Sequence, residues 1–347
     1  MAFRPQAQGD LAPAGASAKL AANMAALRTL RGVGEQGRAA DAEQQAVLAR
    51  WSGWGSLPQV FDTSRSDLEP VRTELRELLG ADGFRAASRT TLNAHYTDAA
   101  LARAVWDVLT EAGFASTTGR VLEPGCGAGT FLGLAPASAT RLVGIELDPT
   151  TAAVAQELYP HAEVRAESFA DNRLPEGGFD LAIGNVPFGK ISLHDPVHNP
   201  AGHSLHNHFI VKALHLTRPG GVVAVLTSHW TMDATNPAAR REIAGLGELV
   251  AAVRLPSTAH QKAAGTTVLS DLLVLRRHAT PTESAAGGGV VAWERAVPLP
   301  VDDAGPGPVE ADGGRRRQAP AVNEAFLAHP EWVVGPQVSG KASTGLR

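Results

Sequence analysis

Two short stretches carry residue types that packing alone does not require. The first is EPGCGAGTF, residues 123–131, set between an apolar run and an amphipathic one. Gly125, Gly127 and Gly129 let the backbone turn sharply and approach a ligand more closely than any Cβ would permit. The next apolar run ends GIELD and leaves Glu146 at its carboxyl end. There a carboxylate can accept both ribose hydroxyls of an adenosine moiety. Alone, a G-x-G-x-G loop fits a nucleotide site or a simple tight turn. Spacing and charge narrow the choice, because the loop lacks the G-x-G-x-x-G spacing suited to a pyrophosphate and Glu123 would repel one. S-adenosylmethionine carries no phosphate, and its sulphonium cation suits an acid such as Glu123. The second stretch is FDLAIGNVPFGK, residues 179–190, an apolar run that stops at Asn185, Val186, Pro187 and Phe188. An amide, a proline and an aromatic ring at a strand tip point to binding over packing.

Taken in order, NAHYT (93–97), LEPGCGAGTF (122–131), GIELD (144–148), AESF (166–169) and GNVPFG (184–189) resemble the motifs of the class I S-adenosylmethionine-dependent adenine-N6 DNA methyltransferases. They look most like the methylase segment of large phage- and plasmid-borne helicase–methylase proteins. WSGWGSLPQVF (51–61), ELVAAVRLPSTAH (248–260) and VNEAFLAHPEW (322–332) resemble further pieces of that family, so the likeness extends over nearly the whole chain. It implies a Rossmann-like doubly wound sheet, S-adenosylmethionine as cofactor, DNA as partner, and a helicase domain or protein acting alongside. The implied setting is modification or anti-restriction on a mobile element. By the same resemblance Tyr96 and Thr97 line the methionine end of the cofactor, and Phe169 packs on its adenine. Asn185, Pro187 and Phe188 then hold a flipped adenine.

The chemistry of such a clamp is specific. The exocyclic amine of adenine is a poor nucleophile, because its lone pair is delocalised into the ring. Two acceptors, the Asn185 side-chain oxygen and the backbone carbonyl of Val186 or Pro187, would hold the amino hydrogens and aim the lone pair at the methyl group. Pro187 fixes the local backbone, and Phe188 would stack on the base, a contact worth ~1–3 kcal/mol in single-strand binders. Two positions depart from the family. Val186 stands where a second proline is usual, and Ser168 stands where an aspartate commonly serves the cofactor adenine. A clamp of this kind also serves planar amides and guanine amines. A protein-glutamine or RNA methyltransferase, or a catalytically silent nucleic-acid-binding subunit, therefore stays open as an alternative.

Other features invite weaker readings. Six histidines, His194, His198, His203, His206, His208 and His215, follow the clamp. No recognisable ligand spacing accompanies them, so contact with phosphate or base is expected and no metal site. Gly335 to Ala342 nearly matches a phosphate-binding loop, but Ala342 replaces the hydroxyl that would hold magnesium. Trp51 and Trp54 are expected in the core, and Cys126 as a small filler.

The elements that must position these residues follow from periodicity. Leu20, Met24, Leu27 and Leu30 recur at helical spacing, with Gly32 as the expected stop. Asp41 with Gln44 predicts a capped helix ending near Gly53, Ser66 with Glu69 another, and a further helix runs from about Asp98 to Ala112. From Arg120 the pattern becomes short apolar runs alternating with helical segments. RVLEP, RLVGIELD, AEVRAE, FDLAIGN, GVVAVLTS, ELVAAVRLP and TVLSDLLVLRR predict a seven-stranded, mainly parallel α/β sheet. The last two runs have no helix between them, so the final strand is expected to insert antiparallel.

Composition sets the outer bounds. The chain has 347 residues, 44% hydrophobic and 19% charged, with net charge −4 and one cysteine. That fits a globular fold without a disulfide framework or thiolate zinc cluster. No apolar run is long enough to span a membrane, and no apolar leader opens the chain, so a cytoplasmic setting is expected. The expected domains are a helical extension over 1–90, a methyltransferase domain over 91–278, a linker over 279–320 with a short strand at Val290–Trp293, and a helical segment over 321–347.

Overall fold

Val222, Ala224 and Leu226 of one strand enter one apolar cluster, while Val223 and Val225 enter another. A strand buried on both faces belongs in a sheet sandwiched between helices. The computed structural model describes residues 2–89, 97–113, 119–260, 268–279, 293–298 and 321–335. It has one seven-stranded sheet, of β1 (Gly119–Pro124), β2 (Ala139–Glu146), β3 (Glu163–Ala166), β4 (Phe179–Asn185), β5 (Thr217–Ser228), β6 (Gly247–Arg254) and β7 (Ser270–Arg277). The order is β3-β2-β1-β4-β5-β7-β6, with β7 antiparallel to β5 and β6 on either side of it.

On one face pack α1 (Ala16–Gln36), α2 (Ala42–Leu48), α3 (Glu69–Arg89), α4 (Ala99–Glu111), α5 (Thr130–Leu134) and α6 (Pro149–Leu158). On the other lie α7 (Leu205–Leu216), the short α8 (Trp230–Asp233) and α9 (Ala238–Leu246), with α10 (Glu324–Ala328) from the C-terminal segment. The N-terminal helices share the core of the sheet. Trp51 Nε1–H donates to Thr151 Oγ1 at 3.0 Å, and Gln45 Nε2 donates to the carbonyl of Glu157 at 2.9 Å. Trp51 and Trp54 are both buried and meet edge to face.

Several boundaries differ from the periodicity reading. Helix α1 passes through Gly32 and ends at Gly37, whose φ of 61° is left-handed. Buried Val33 explains the extra turn, since tertiary packing outweighs the ~1 kcal/mol cost of a helical glycine. Helix α2 keeps its Asp41–Gln44 capping box but ends at Leu48, short of Gly53. Ser66 opens a 3₁₀ turn without a side-chain cap, and α3 follows with a kink at Gly80. Asp98 does cap α4.

Within the expected linker the described residues include β8 (Ala296–Pro298), paired antiparallel with β9 (Ala321–Asn323); of the strand expected at Val290–Trp293 only Trp293 is among the described residues, and it lies in a turn. Asn323 caps α10, and its amide donates to the carbonyls of Met232 and Trp293. Most of the phosphate-loop look-alike, residues 336–342, also lies outside the described residues. Among the described residues no helix is long and apolar enough to cross a membrane.

Candidate active site

From β1 the chain moves outward to β2 and β3, then returns past β1 to lay down β4 and β5 on the other side. The loops leaving the carboxyl ends of β1 and β4 therefore diverge, and in open α/β sheets that divergence is where ligands bind. Parallel pairing of Val121 with Leu181 and Leu122 with Ala182 sets the glycine loop beside the Asn185 tip. Between them opens a cavity of about 420 Å³, within the usual size range of ligand sites. Thr97, Glu123, Gly125, Gly127, Glu146, Ser168, Phe169, Asn185 and Pro187 all line it.

Gly125 and Gly127 adopt φ of 69° and 55°, which a residue with a Cβ rarely does. A Cβ on Gly125 would meet Pro187 Cδ at 3.4 Å and the ring of Phe209 at 3.5 Å, ordinary contact distances, so the backbone conformation is what asks for glycine there. Gly129, at φ 83°, does not line the cavity; a Cβ there would lie 2.6 Å from the Tyr159 ring. Its absent side chain makes room for packing behind the loop, not for a ligand in front of it.

Glu146 ends β2 with its carboxylate already anchored. Its Oε2 accepts from Gly127 N–H at 2.9 Å and its Oε1 from Asp148 N–H at 2.8 Å. Each oxygen keeps a further lone pair for a hydroxyl donor. Withdrawal from water outweighs these bonds and pushes the carboxyl up to about 7. Glu123 lies deeper. It accepts from Leu132 N–H at 3.1 Å, and burial raises its carboxyl well above the ordinary range. A cation entering the cavity would favour the ionised form of either acid.

At the tip, Asn185 Nδ2 donates to Thr97 Oγ1 at 3.1 Å. Its Oδ1 is buried and has no hydrogen-bond partner among the described residues. Val186 N–H donates to the carbonyl of Leu226 at 3.0 Å, extending the β4–β5 ladder one residue past the strand. Proline has no such donor, which gives Val186 a structural reason to stand where a second proline is usual. Phe188 is absent from the cavity wall as described and meets the His260 ring edge-on, with centroids 6.4 Å apart. Ser168 Oγ accepts from Ala170 N–H, and Phe169 is buried against Phe209 with centroids 4.7 Å apart. Tyr96 falls outside the described residues.

The wall also holds residues that sequence reasoning passed over: Gly53, Ala86 and Arg89 from the N-terminal helical region, and Leu205 and Phe209 from α7. Nothing in their local pattern marks them, because Phe209 reads as helix core and Arg89 as a solvated helix end. Histidines after the clamp are mostly engaged within the protein. His203 pairs with Glu242 at 2.7 Å and His208 with Asp195 at 3.1 Å, and His206 sits beside Ser204, all three buried. They do not face solvent as the expected phosphate or base contacts would. His198 and His215 converge instead on Glu176.

Residues 122–196 match the model of a methyltransferase domain. Over 217 residues the chain is 26% identical to the defense against restriction protein B of Escherichia phage P1, covering 61% of this chain and 9% of that protein. Over 135 residues it is 35% identical to a type II methyltransferase of Thermus thermophilus, covering 32% of this chain and 30% of the relative. The chain thus spans less than a third of either relative. Among solved structures, the methyltransferase subunit of a type I restriction-modification system from Streptococcus thermophilus aligns with TM-score 0.44 and 15% identity, over 74% of this chain and 66% of that one. Sheet order and glycine loop agree with the matched model of a methyltransferase domain, and the cofactor is S-adenosylmethionine.

Proposed function

We propose that the chain methylates the N6 amine of adenine in DNA, taking the base extruded from its stack into the cavity beside Asn185. The observation that carries this reading is the orphaned acceptor at the strand tip. A buried amide oxygen without a partner costs about 1–3 kcal/mol, and Asn185 Oδ1 is such an atom. The cost is recovered when an N–H donor arrives, and the amine of adenine is one. Thr97 holds the amide nitrogen, so the oxygen is presented in one orientation. The backbone carbonyl beside Pro187 is the second acceptor. Together they restrain the amino hydrogens and turn the nitrogen lone pair outward.

S-adenosylmethionine supplies an electrophilic methyl group when bound. Glu146 would receive the ribose hydroxyls, the Gly125–Gly127 backbone would admit the nucleoside, and Thr97 would stand at the methionine end. Glu123 would offer negative charge to the cationic end, and Phe169 with the Ser168 turn would border the purine. Holding nitrogen and methyl in line is the main contribution left to the protein, and well-oriented reactions gain up to roughly 7–11 kcal/mol. Phe188, now against His260, would turn to stack on a base arriving past Pro187. Extrusion costs least from unpaired DNA. A helicase acting with the chain, on the same or another polypeptide, would supply such a substrate in modification or anti-restriction.

Incubating the purified chain with methyl-labelled S-adenosylmethionine and DNA, RNA or protein tests the reading. Label recovered as N6-methyladenine from DNA supports it. Label on glutamine or RNA alone would replace the substrate, and cofactor binding without transfer to any DNA would favour a silent binding subunit.

A further inference from the structure

The amino-terminal end of the central strands, away from the cavity, holds a second group of ligand-bearing side chains. Glu176 lies three residues before β4 begins, and Asn185 ends that strand, so roughly 20 Å of extended chain separates the two places. Here Glu176, His198 of the loop after the clamp and His215 near the end of α7 converge. His198 Nε2 lies 3.1 Å from Glu176 Oε1, and His215 Nδ1 lies 3.9 Å from Glu176 Oε2. One ligand atom from each of the three falls within 4.8 Å of the others. Around an ion bound at ~2.0–2.2 Å, tetrahedral ligand atoms sit roughly 3.3–3.6 Å apart, so small side-chain rotations close the set.

Two further observations favour a metal over a plain ion pair. His198 Nδ1 is buried, has no hydrogen-bond partner among the described residues, and lies 3.4 Å from Asp195 Oδ2. Metal on Nε2 would put the proton on Nδ1 and turn it toward that carboxylate, the arrangement that commonly orients a metal-bound histidine. The same Asp195 oxygen accepts from Lys212 Nζ at 3.0 Å, which fixes its position. His215 is half-buried, with Nδ1 turned to the second oxygen of Glu176. Glu176 is exposed and leaves a fourth position open to water.

We propose that Glu176, His198 and His215 form a site for a divalent transition-metal ion of the zinc class, pinning the segment after the clamp to α7 and to the turn before β4. The ion is structural, remote from the methyl-transfer cavity, and its binding is read without any methylation assay.

The test uses the full chain without a histidine tag, stripped with EDTA and titrated with Zn²⁺ alone by calorimetry, with melting followed in parallel. One equivalent should bind and raise the melting temperature. His198→Ala, His215→Ala and Glu176→Gln should each weaken that binding at least tenfold, while exposed His194→Ala should not. Glu176→Gln is a surface change that keeps the fold, so it carries the test if either histidine variant misfolds. Lack of a saturable equivalent, or Zn²⁺ affinity unchanged in Glu176→Gln and His198→Ala, would leave only an ion pair and overturn the proposal.

Discussion

Glu146 carries the most direct consequence of the cavity's chemistry. With its carboxyl pushed up to about 7 by burial, the cofactor-free site is largely protonated below that pH. Ribose hydroxyls bond more strongly to the ionised form, which accepts at both oxygens. S-adenosylmethionine affinity should therefore fall as pH drops below 7, by up to about tenfold per unit, and level off above it; calorimetry between pH 5.5 and 8.5 reads the slope. Glu146→Ala should weaken binding by roughly ten- to a hundredfold and reduce that pH dependence to what Glu123 contributes, as expected for losing charged hydrogen bonds of about 1.5–3 kcal/mol. Unchanged affinity would remove Glu146 from the ribose site. The place of Glu146 was legible in the sequence, because a carboxylate at the end of the second strand is set by local spacing. Thr97 as the partner of Asn185 was not, since the two stand 88 residues apart and only the fold brings them together. Gly129 shows the converse, a motif glycine whose close neighbour is Tyr159 behind the loop.

Among the elements, the β4 tip depends on its ladder. Val186 N–H reaches the carbonyl of Leu226, and its side chain is fully packed. Val186→Pro should cost about 1–3 kcal/mol through the lost hydrogen bond and the changed side chain, seen as a lower denaturation midpoint. Restoring the common two-proline clamp thus weakens this protein; a midpoint equal to wild type would contradict the structural account of Val186. Strands were readable from sequence because burial on both faces leaves continuous apolar runs. Even the antiparallel β7 followed from the missing helix before it. Helix ends were less readable. Gly32 looks like a stop, yet buried Val33 carries α1 onward to Gly37, and such tertiary contacts leave no local mark.

At the scale of the whole molecule, the N-terminal helices act as part of the methyltransferase core and of the cavity wall. Trp51 is buried and bonded to Thr151 of α6. Trp51→Ala should destabilise the entire domain by about 3–5 kcal/mol, in a single unfolding transition followed by both fluorescence and circular dichroism. A separate, low-melting transition for the extension would contradict the shared core. Base capture gives a second expectation. A duplex with a mismatch opposite the target adenine should bind more tightly than the matched duplex, because less pairing is lost on extrusion. Phe188→Ala should chiefly weaken that binding. Equal affinities for the two duplexes would argue against extrusion as the route into the cavity.

The central claim is that the Asn185 side-chain oxygen accepts from the adenine amine as the methyl group moves. Its most direct test compares wild type and Asn185→Ala by nucleoside mass spectrometry of DNA after reaction with S-adenosylmethionine, with cofactor affinity measured on the same preparations. N6-methyladenine is expected from the wild type, at least a hundredfold less from the variant, with nearly equal cofactor affinity in both. Near-normal N6-methyladenine from Asn185→Ala, or wild-type label that never appears on adenine, would contradict it.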